Sequence, residues 1–195
     1  MDPKAIEEII RTRRTIKPGM MSETPIPEVD LQAVLESARW APSHGLTEPW
    51  RFRIYRGPGR KTLADLLADL YEKALPPEMQ KPGKADNLRS LPLKAPVVML
   101  VWMARQEIEK IAEVEEIEAV ACAVQNMQLV ATARGLGTFW STPPVLYTPE
   151  MNVWMGIGTK DRCLGLFYLG YAANPAELPQ GRRRPIEEKI AWVDA

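Results

Sequence analysis

The longest helical pattern in this sequence lies between two short apolar runs, and this arrangement constrains the fold more than any other feature. Apolar side chains recur at helical spacing over residues 107–134, with acids at the start and a Gly-Leu-Gly stop at the end. The runs VVMLVWM at 97–103 and LGLFYLGY at 164–171 predict buried strands. The chain is therefore expected to build one sheet covered by helices.

The remaining elements complete an α+β pattern. Helices are predicted at residues 3–10, 28–40, 60–74 and 149–155, and further strands at 50–56 and 138–141. Residues 75–95 contain several prolines and scattered charges, which is typical of a mobile insert or lid. Because the strands are few and separated by long helical connections, the sequence predicts a single domain over residues 1–195.

Composition excludes several classes of protein. The chain has 25 basic and 25 acidic side chains, so its net charge of zero argues against a coat for nucleic acid or for an anionic membrane. Its longest apolar run, 95–104, is too short to cross a bilayer, and its charged beginning does not look like a signal peptide. A cytoplasmic protein is expected.

Histidine and cysteine exclude further chemistry. His44 is the only histidine, which rules out multi-histidine metal centres, and no GxSxG sequence supports a hydrolase nucleophile. Cys122 and Cys163 are far apart, without a CxxC spacing. The sequence therefore predicts neither a metal site nor a disulfide scaffold.

Two basic clusters stand near the two ends of the chain. RTRR at 11–14 would complement the dipole at a helix C-terminus, which is a purely structural explanation of this cluster. The second cluster, RRRP at 182–185, favours a shared anionic ligand of phosphate size, to which Thr15 would add a hydroxyl. Aromatic residues are not interleaved with either cluster, so nucleic acid is the weaker alternative.

Five separated sequences together resemble one known family. They are RRTIK at 13–17, APSHGLTEPWRF at 41–52, GLGTFW at 135–140, GLFYLGY at 165–171 and RRRP at 182–185. Alone, the sequence at 41–52 is also explained as a helix cap before a core tryptophan, and the sequence at 135–140 as a helix stop. In this order, over residues 6–192, they resemble the nitroreductase family of flavin enzymes.

The resemblance implies a homodimer that binds FMN at the subunit interface, with a central four- to five-stranded, mostly antiparallel sheet surrounded by helices. It also implies a C-terminal arm that reaches the partner subunit. At the FMN phosphate, the resemblance implies Arg13 and Thr15 with Arg14 beside them, and Arg182 and Arg184 closing on the phosphate. It places Lys17 at the N1/O2 edge of the flavin, and Trp140, Ser141 and Thr142 at its dimethylbenzene and ribityl side. Pro42, Ser43 and His44 would come from the neighbouring subunit.

The activity implied by the resemblance is NAD(P)H-dependent oxidoreduction. NADH or NADPH would give a hydride to flavin N5, and a small acceptor such as a nitroaromatic or a quinone would then take it by a ping-pong mechanism. Two alternatives stay open: another reaction on the same fold, such as dehalogenation or dehydrogenation, and a non-enzymatic dimeric module that uses its arginines. Leu46 and Glu48 depart from the asparagine and glutamine of many family members.

Overall fold

The computed structural model describes residues 2–193; Met1, Asp194 and Ala195 of the predicted domain lie outside the described residues. The helices are α1 (Pro3–Thr12), α2 (Glu28–Ala38), α3 (Gly59–Ala74), α4 (Lys84–Ser90), α5 (Glu113–Ala133) and α6 (Pro149–Met155). The strands are β1 (Trp50–Arg56), β2 (Val97–Met103), β3 (Leu136–Ser141) and β4 (Arg162–Tyr171). The predicted α+β class is confirmed.

The four strands form one antiparallel sheet in the order β1-β2-β4-β3. A fifth segment joins its edge, because Thr15 forms a parallel bridge with Thr138 and Ile16 N donates to Thr138 O at 2.9 Å. Gly137 permits this contact, since a Cβ there would lie 2.6 Å from Ile16 Cγ1. The sheet edge therefore fixes the segment that follows α1.

Alternate side chains of β2 enter two separate cores, one on each face of the sheet. Val98 and Leu100 pack with α3 and α4, whereas Met99 and Val101 pack with α2 and α5. Burial on both faces explains why this strand reads as a continuous apolar run. The sheet is therefore the middle layer between two helical layers.

The helix α5 begins at Glu113, six residues later than the sequence pattern predicts. Glu109 has a left-handed backbone with φ of 51°, which a continuous helix does not allow. Lys160 pairs with Glu109, so a contact distant in sequence holds the preceding loop in this irregular form. The acids of this loop resemble a helical first turn, which explains the wrong boundary.

The proline-containing segment 75–95 is more ordered than the predicted mobile insert. It contains the short helix α4, which begins after Gly83 in a left-handed conformation with φ of 68°. Leu88 of α4 is buried in the core against α3. The segment is therefore docked on the domain through several apolar side chains, among them Leu75, Leu88 and Ala95.

Both cysteines are free, and burial raises the pKa of the Cys163 thiol to about 11. Within residues 2–193, the structure has no helix that is both long and apolar enough to cross a membrane.

Candidate functional site

Arg13 lies directly after α1, where it caps the helix through its N–H to Ile9 O at 2.9 Å. Its side chain is half-buried and donates no hydrogen bond to any residue of 2–193. Burial, followed by the positive charges of Arg183 and Arg14, lowers the pKa of its guanidinium. The fold therefore brings a residue of the second basic cluster close to the first.

Arg14 joins the C-terminal tail to the end of α1. Its Nε donates to Pro179 O at 3.1 Å, while Nη1 donates to Arg11 O at 2.7 Å and to Arg13 O at 2.8 Å. A Cβ on Gly181 would lie 2.6 Å from Arg14 Cζ, so the tail backbone touches the guanidinium. These contacts give Arg14 a positioning role in addition to its charge.

The positive charges of these two segments have no acidic partner among residues 2–193. We define the basic cluster as Arg13, Arg14, Lys17, Arg182, Arg183 and Arg184. Throughout residues 2–193, no member of it forms an ion pair with a carboxylate. Arg13 and Arg14 are half-buried and the other four members are exposed. Mutually repelling cations favour an added anion. A phosphate monoester, with a charge of about −2 at neutral pH, fits this donor set.

The predicted residues Trp140 and Ser141 end β3, and Thr142 follows them. Trp140 Nε1 donates to Leu164 O at 3.0 Å, and its ring lies over Gly165, where a Cβ would come within 2.2 Å of Nε1. The indole is therefore held in one position at the end of the sheet.

A cavity of about 440 Å³ opens beside Trp140, Ser141 and Thr142. Residues of α3 and of the segment after it complete its wall, namely Tyr71, Met79, Lys81 and Lys84. The two lysines are not predicted from the sequence, because their charges are scattered in a segment without periodicity. This placement puts the docked segment 75–95 at the rim of the candidate site.

The predicted residues Pro42, Ser43 and His44 lie in a turn that packs against the first turn of α5. His44 Nδ1 lies 2.6 Å from Glu115 Oε2, in the first turn of that helix. A Cβ on Gly45 would lie 3.5 Å from Ile111 Cδ1, so the turn is packed against the loop before α5. Glu115 is missed by the sequence argument, which explains an acid there only by the helix dipole.

One chain does not bring all the predicted residues together. The turn with His44 packs on the first residues of α5. Thr15 instead pairs with Thr138 of β3, the strand that follows the last residue of α5. Glu115 and Ala133 are about 27 Å apart along the helix, at roughly 1.5 Å per residue. Within one subunit, the turn and the basic cluster therefore lie at opposite ends of α5.

The two departures from the family pattern have strained backbones. Leu46 has φ of 54° and Glu48 has φ of 42°, in the left-handed region that asparagine tolerates better than leucine. Arg51 donates to the backbone oxygen of Glu48 at 2.7 Å, and the Glu48 carboxylate forms no ion pair among the described residues. Its charge is therefore not neutralised by Arg51.

The loop before α5 is anchored by a buried ion pair. The side chains of Arg105 and Glu116 are 9% and 1% exposed and pair directly, and Arg105 N donates to Asp161 Oδ1 at 2.9 Å. Together with Lys160 and Glu109, this pair fixes the loop on which the His44 turn rests.

An apolar groove of about 600 Å³ runs along the outer face of α5. It is lined by Ile6 and Ile9 of α1, by Trp40, and by Leu129 and Val130 of α5. Trp40 is 74% exposed and Ile6 is 50% exposed, although α1 carries its apolar side chains on one face as the sequence predicts. We refer to this surface as the α1/α5 groove.

Comparison with known proteins identifies the family. The family model described as "Nitroreductase family" matches residues 10–171. YfhC of Bacillus subtilis, itself only provisionally named an NAD(P)H nitroreductase, is 30% identical over 187 residues, which cover 95% of this chain and 92% of YfhC. Iodotyrosine deiodinase 1 of Rattus norvegicus is 26% identical over 205 residues, covering 95% of this chain and 68% of the deiodinase.

Solved structures give the same fold. A nitroreductase-like family protein from Bacillus cereus superposes with a TM-score of 0.82 at 28% identity, covering 97% of this chain and 96% of the other. The FMN-dependent nitroreductase NfnB from Mycobacterium smegmatis, solved in complex with NADPH, gives a TM-score of 0.75 at 19% identity, with 97% and 98% coverage. Its identity is low, so this likeness concerns the fold alone.

Proposed function

Because the chain belongs to the nitroreductase family, we propose that it is an FMN-dependent oxidoreductase that takes a hydride from NADH or NADPH and reduces a small acceptor. The observation that carries this proposal is the basic cluster, which two distant parts of the chain form and which pairs with no acid of the described residues. The names of YfhC and NfnB, which include NAD(P)H and FMN, support it. The cytoplasmic location expected from the sequence stays a prediction.

The basic cluster would hold the FMN phosphate. Arg13 has free donors and Thr15 a hydroxyl beside it, while Arg182 and Arg184 lie on the tail that Arg14 holds in place. Lys17 would approach the N1/O2 edge of the flavin, where an ammonium stabilises the anionic reduced ring. When bound, FMN supplies the hydride chemistry, and the residues of the basic cluster would supply binding, orientation and charge.

We further propose that the site is shared between two subunits. Pro42, Ser43 and His44 lie at the opposite end of α5 from the basic cluster, so they would complete the partner's site. The α1/α5 groove exposes the apolar surface that a second copy of the chain would cover. The tail after Tyr171 is exposed from Ala173 to Val193, as expected of an arm that reaches the partner.

The acceptor would enter the cavity beside Trp140. Its wall contains Met79, Lys81 and Lys84, so the segment 75–95 would decide which acceptor fits. We propose a nitroaromatic or a quinone as the acceptor class. The resemblance to iodotyrosine deiodinase favours reductive dehalogenation as the second candidate reaction. Analysis of the products from a nitroaromatic and from an iodotyrosine substrate distinguishes the two reactions.

Steady-state kinetics of the FMN-loaded protein test this proposal. The concentration of NADPH is varied at several fixed concentrations of a quinone, and the experiment is repeated with NADH. Parallel double-reciprocal lines are expected, because the first product leaves before the acceptor binds. Intersecting lines, or no turnover with either nucleotide and any tested acceptor, would contradict the proposed oxidoreductase.

A further inference from the structure

His44 is the only histidine of the chain, and its ring is oriented by a carboxylate. Nδ1 lies 2.6 Å from Glu115 Oε2, and a carboxylate accepts hydrogen bonds, so Nδ1 carries the hydrogen. Among residues 2–193, Nε2 has no hydrogen-bond partner, and the side chain is 62% exposed. The hydrogen bond therefore leaves Nε2 as the ring nitrogen that is free to exchange a proton.

The backbone that carries His44 is fixed from both sides. Ser43 Oγ accepts from Glu48 N at 3.4 Å, which closes the turn. The backbone of Gly45 packs against Ile111, in the loop that the buried pair of Arg105 and Glu116 anchors. The ring is therefore presented by a rigid turn, as a group that must act at a defined position requires.

We propose that Glu115 positions His44 so that its Nε2 gives a proton to the acceptor as the acceptor is reduced. This inference rests on the proposed function, in which the turn faces the partner's site. Histidine is the side chain whose unperturbed pKa suits proton transfer near neutral pH. By contrast, burial raises the pKa of Cys163 and of Tyr168, so these two groups are weaker proton donors than their exposed counterparts.

The proton balance of the step is simple for a quinone. Bound FMN, once reduced by NADH or NADPH, would supply a hydride, which brings the acceptor two electrons and one proton. The second proton comes from the His44 imidazolium: the Nε2–H bond breaks and an O–H bond forms on the acceptor. The neutral ring keeps the hydrogen on Nδ1, which continues to donate to the Glu115 carboxylate. Solvent then returns a proton to Nε2.

Nitrogen NMR of the protein labelled with ¹⁵N-histidine tests the pairing without flavin or turnover. A single histidine gives two ring signals, so no assignment step is needed. We expect the neutral ring to carry its hydrogen on Nδ1, and Glu115→Ala to abolish that preference. Glu118→Ala, which removes an exposed acid from the same helix, is the matched control and should leave the tautomer unchanged. A wild-type ring with its hydrogen on Nε2 would overturn the proposal.

The two half-reactions, measured separately by stopped flow, test the proton transfer. His44→Gln should slow reoxidation by a quinone on the order of 10²-fold, while reduction of the flavin by NADPH changes much less. Added imidazole should partly restore the rate of His44→Gly. Equal slowing of both half-reactions, or unchanged reoxidation, would overturn this inference alone. Absence of FMN binding in the wild type would overturn the proposed function as well.

Discussion

Arg14 Nε donates a hydrogen bond to Pro179 O at 3.1 Å, so the first basic segment holds the tail that carries the second. The close contact of the Arg14 guanidinium with Gly181 reinforces this link. The two arginine-rich sequences, which lie at opposite ends of the chain, are thus brought together in the fold. Arg13 and Arg14 have different environments in it, and substitutions should separate their roles.

Arg13→Gln should weaken FMN binding by roughly 10- to 100-fold, because a hydrogen bond to a charged group contributes about 1.5–3 kcal/mol. Fluorescence titration of FMN measures the effect. Arg56→Gln is the matched control, since Arg56 is exposed and its ion pair is with Glu28, on a surface that is not part of the proposed site or interface. An unchanged dissociation constant for Arg13→Gln would show that this guanidinium does not bind the phosphate.

Arg14→Ala should release the tail, because the hydrogen bond to Pro179 O and the contact with the Gly181 backbone are lost. Trypsin should then cut after Arg182 or Arg183 several times faster than in the wild type without FMN; Arg184 precedes Pro185, and trypsin does not cleave that bond. Limited proteolysis followed by mass spectrometry measures these rates. Equal rates of cleavage in the two proteins would contradict the anchoring role of Arg14.

Trp40→Asp should convert the protein to a monomer, because the carboxylate would enter an apolar interface without a partner. The tryptophan is 74% exposed in the subunit, so the fold itself should tolerate the change. Light scattering measures the mass, and FMN affinity should fall roughly tenfold or more as the shared site is lost. Val153→Asp, at an exposed apolar residue of α6, is the control. A Trp40→Asp dimer with normal FMN affinity would contradict the proposed interface.

Leu46→Asn should stabilise the protein by about 1 kcal/mol, because asparagine adopts the left-handed conformation at lower cost than leucine. Leu46 is 84% exposed, so little buried apolar area is lost. Urea denaturation measures the free energy of unfolding. Ile108→Asn is the matched control: Ile108 is also 84% exposed but is absent from the positive-φ residues of the described chain. Equal effects of the two substitutions would contradict the strain at Leu46.

The strands were predictable because their patterns depend on burial alone. The runs at 50–56 and 97–103 agree residue for residue with β1 and β2, one half-exposed and the other buried on both faces. The start of α5 was not predictable in the same way. The acids before Glu113 suit a helix locally, but Lys160 and Asp161, which are distant in sequence, hold that segment as a loop.

In the candidate site, too, some features follow from local sequence and others from contacts between distant segments. The resemblance supplies Arg13, Thr15 and the end of β3 from short local sequences. The pairing of His44 with Glu115, the role of Arg14 as an anchor, and the position of Lys84 at the cavity all depend on contacts between segments far apart in the chain. No periodicity or spacing in the sequence reports such contacts. The left-handed backbone of Glu48 is likewise imposed by the turn that contains it.

The visible absorption spectrum of the FMN-loaded protein, recorded without oxygen before and after addition of NADH or NADPH, tests whether the protein is a nicotinamide-dependent flavin oxidoreductase. We expect a bound-flavin spectrum that bleaches with at least one of the two nucleotides and returns when a quinone is added. A protein that retains no FMN after incubation and gel filtration, or a bound flavin that neither nucleotide reduces, would contradict it.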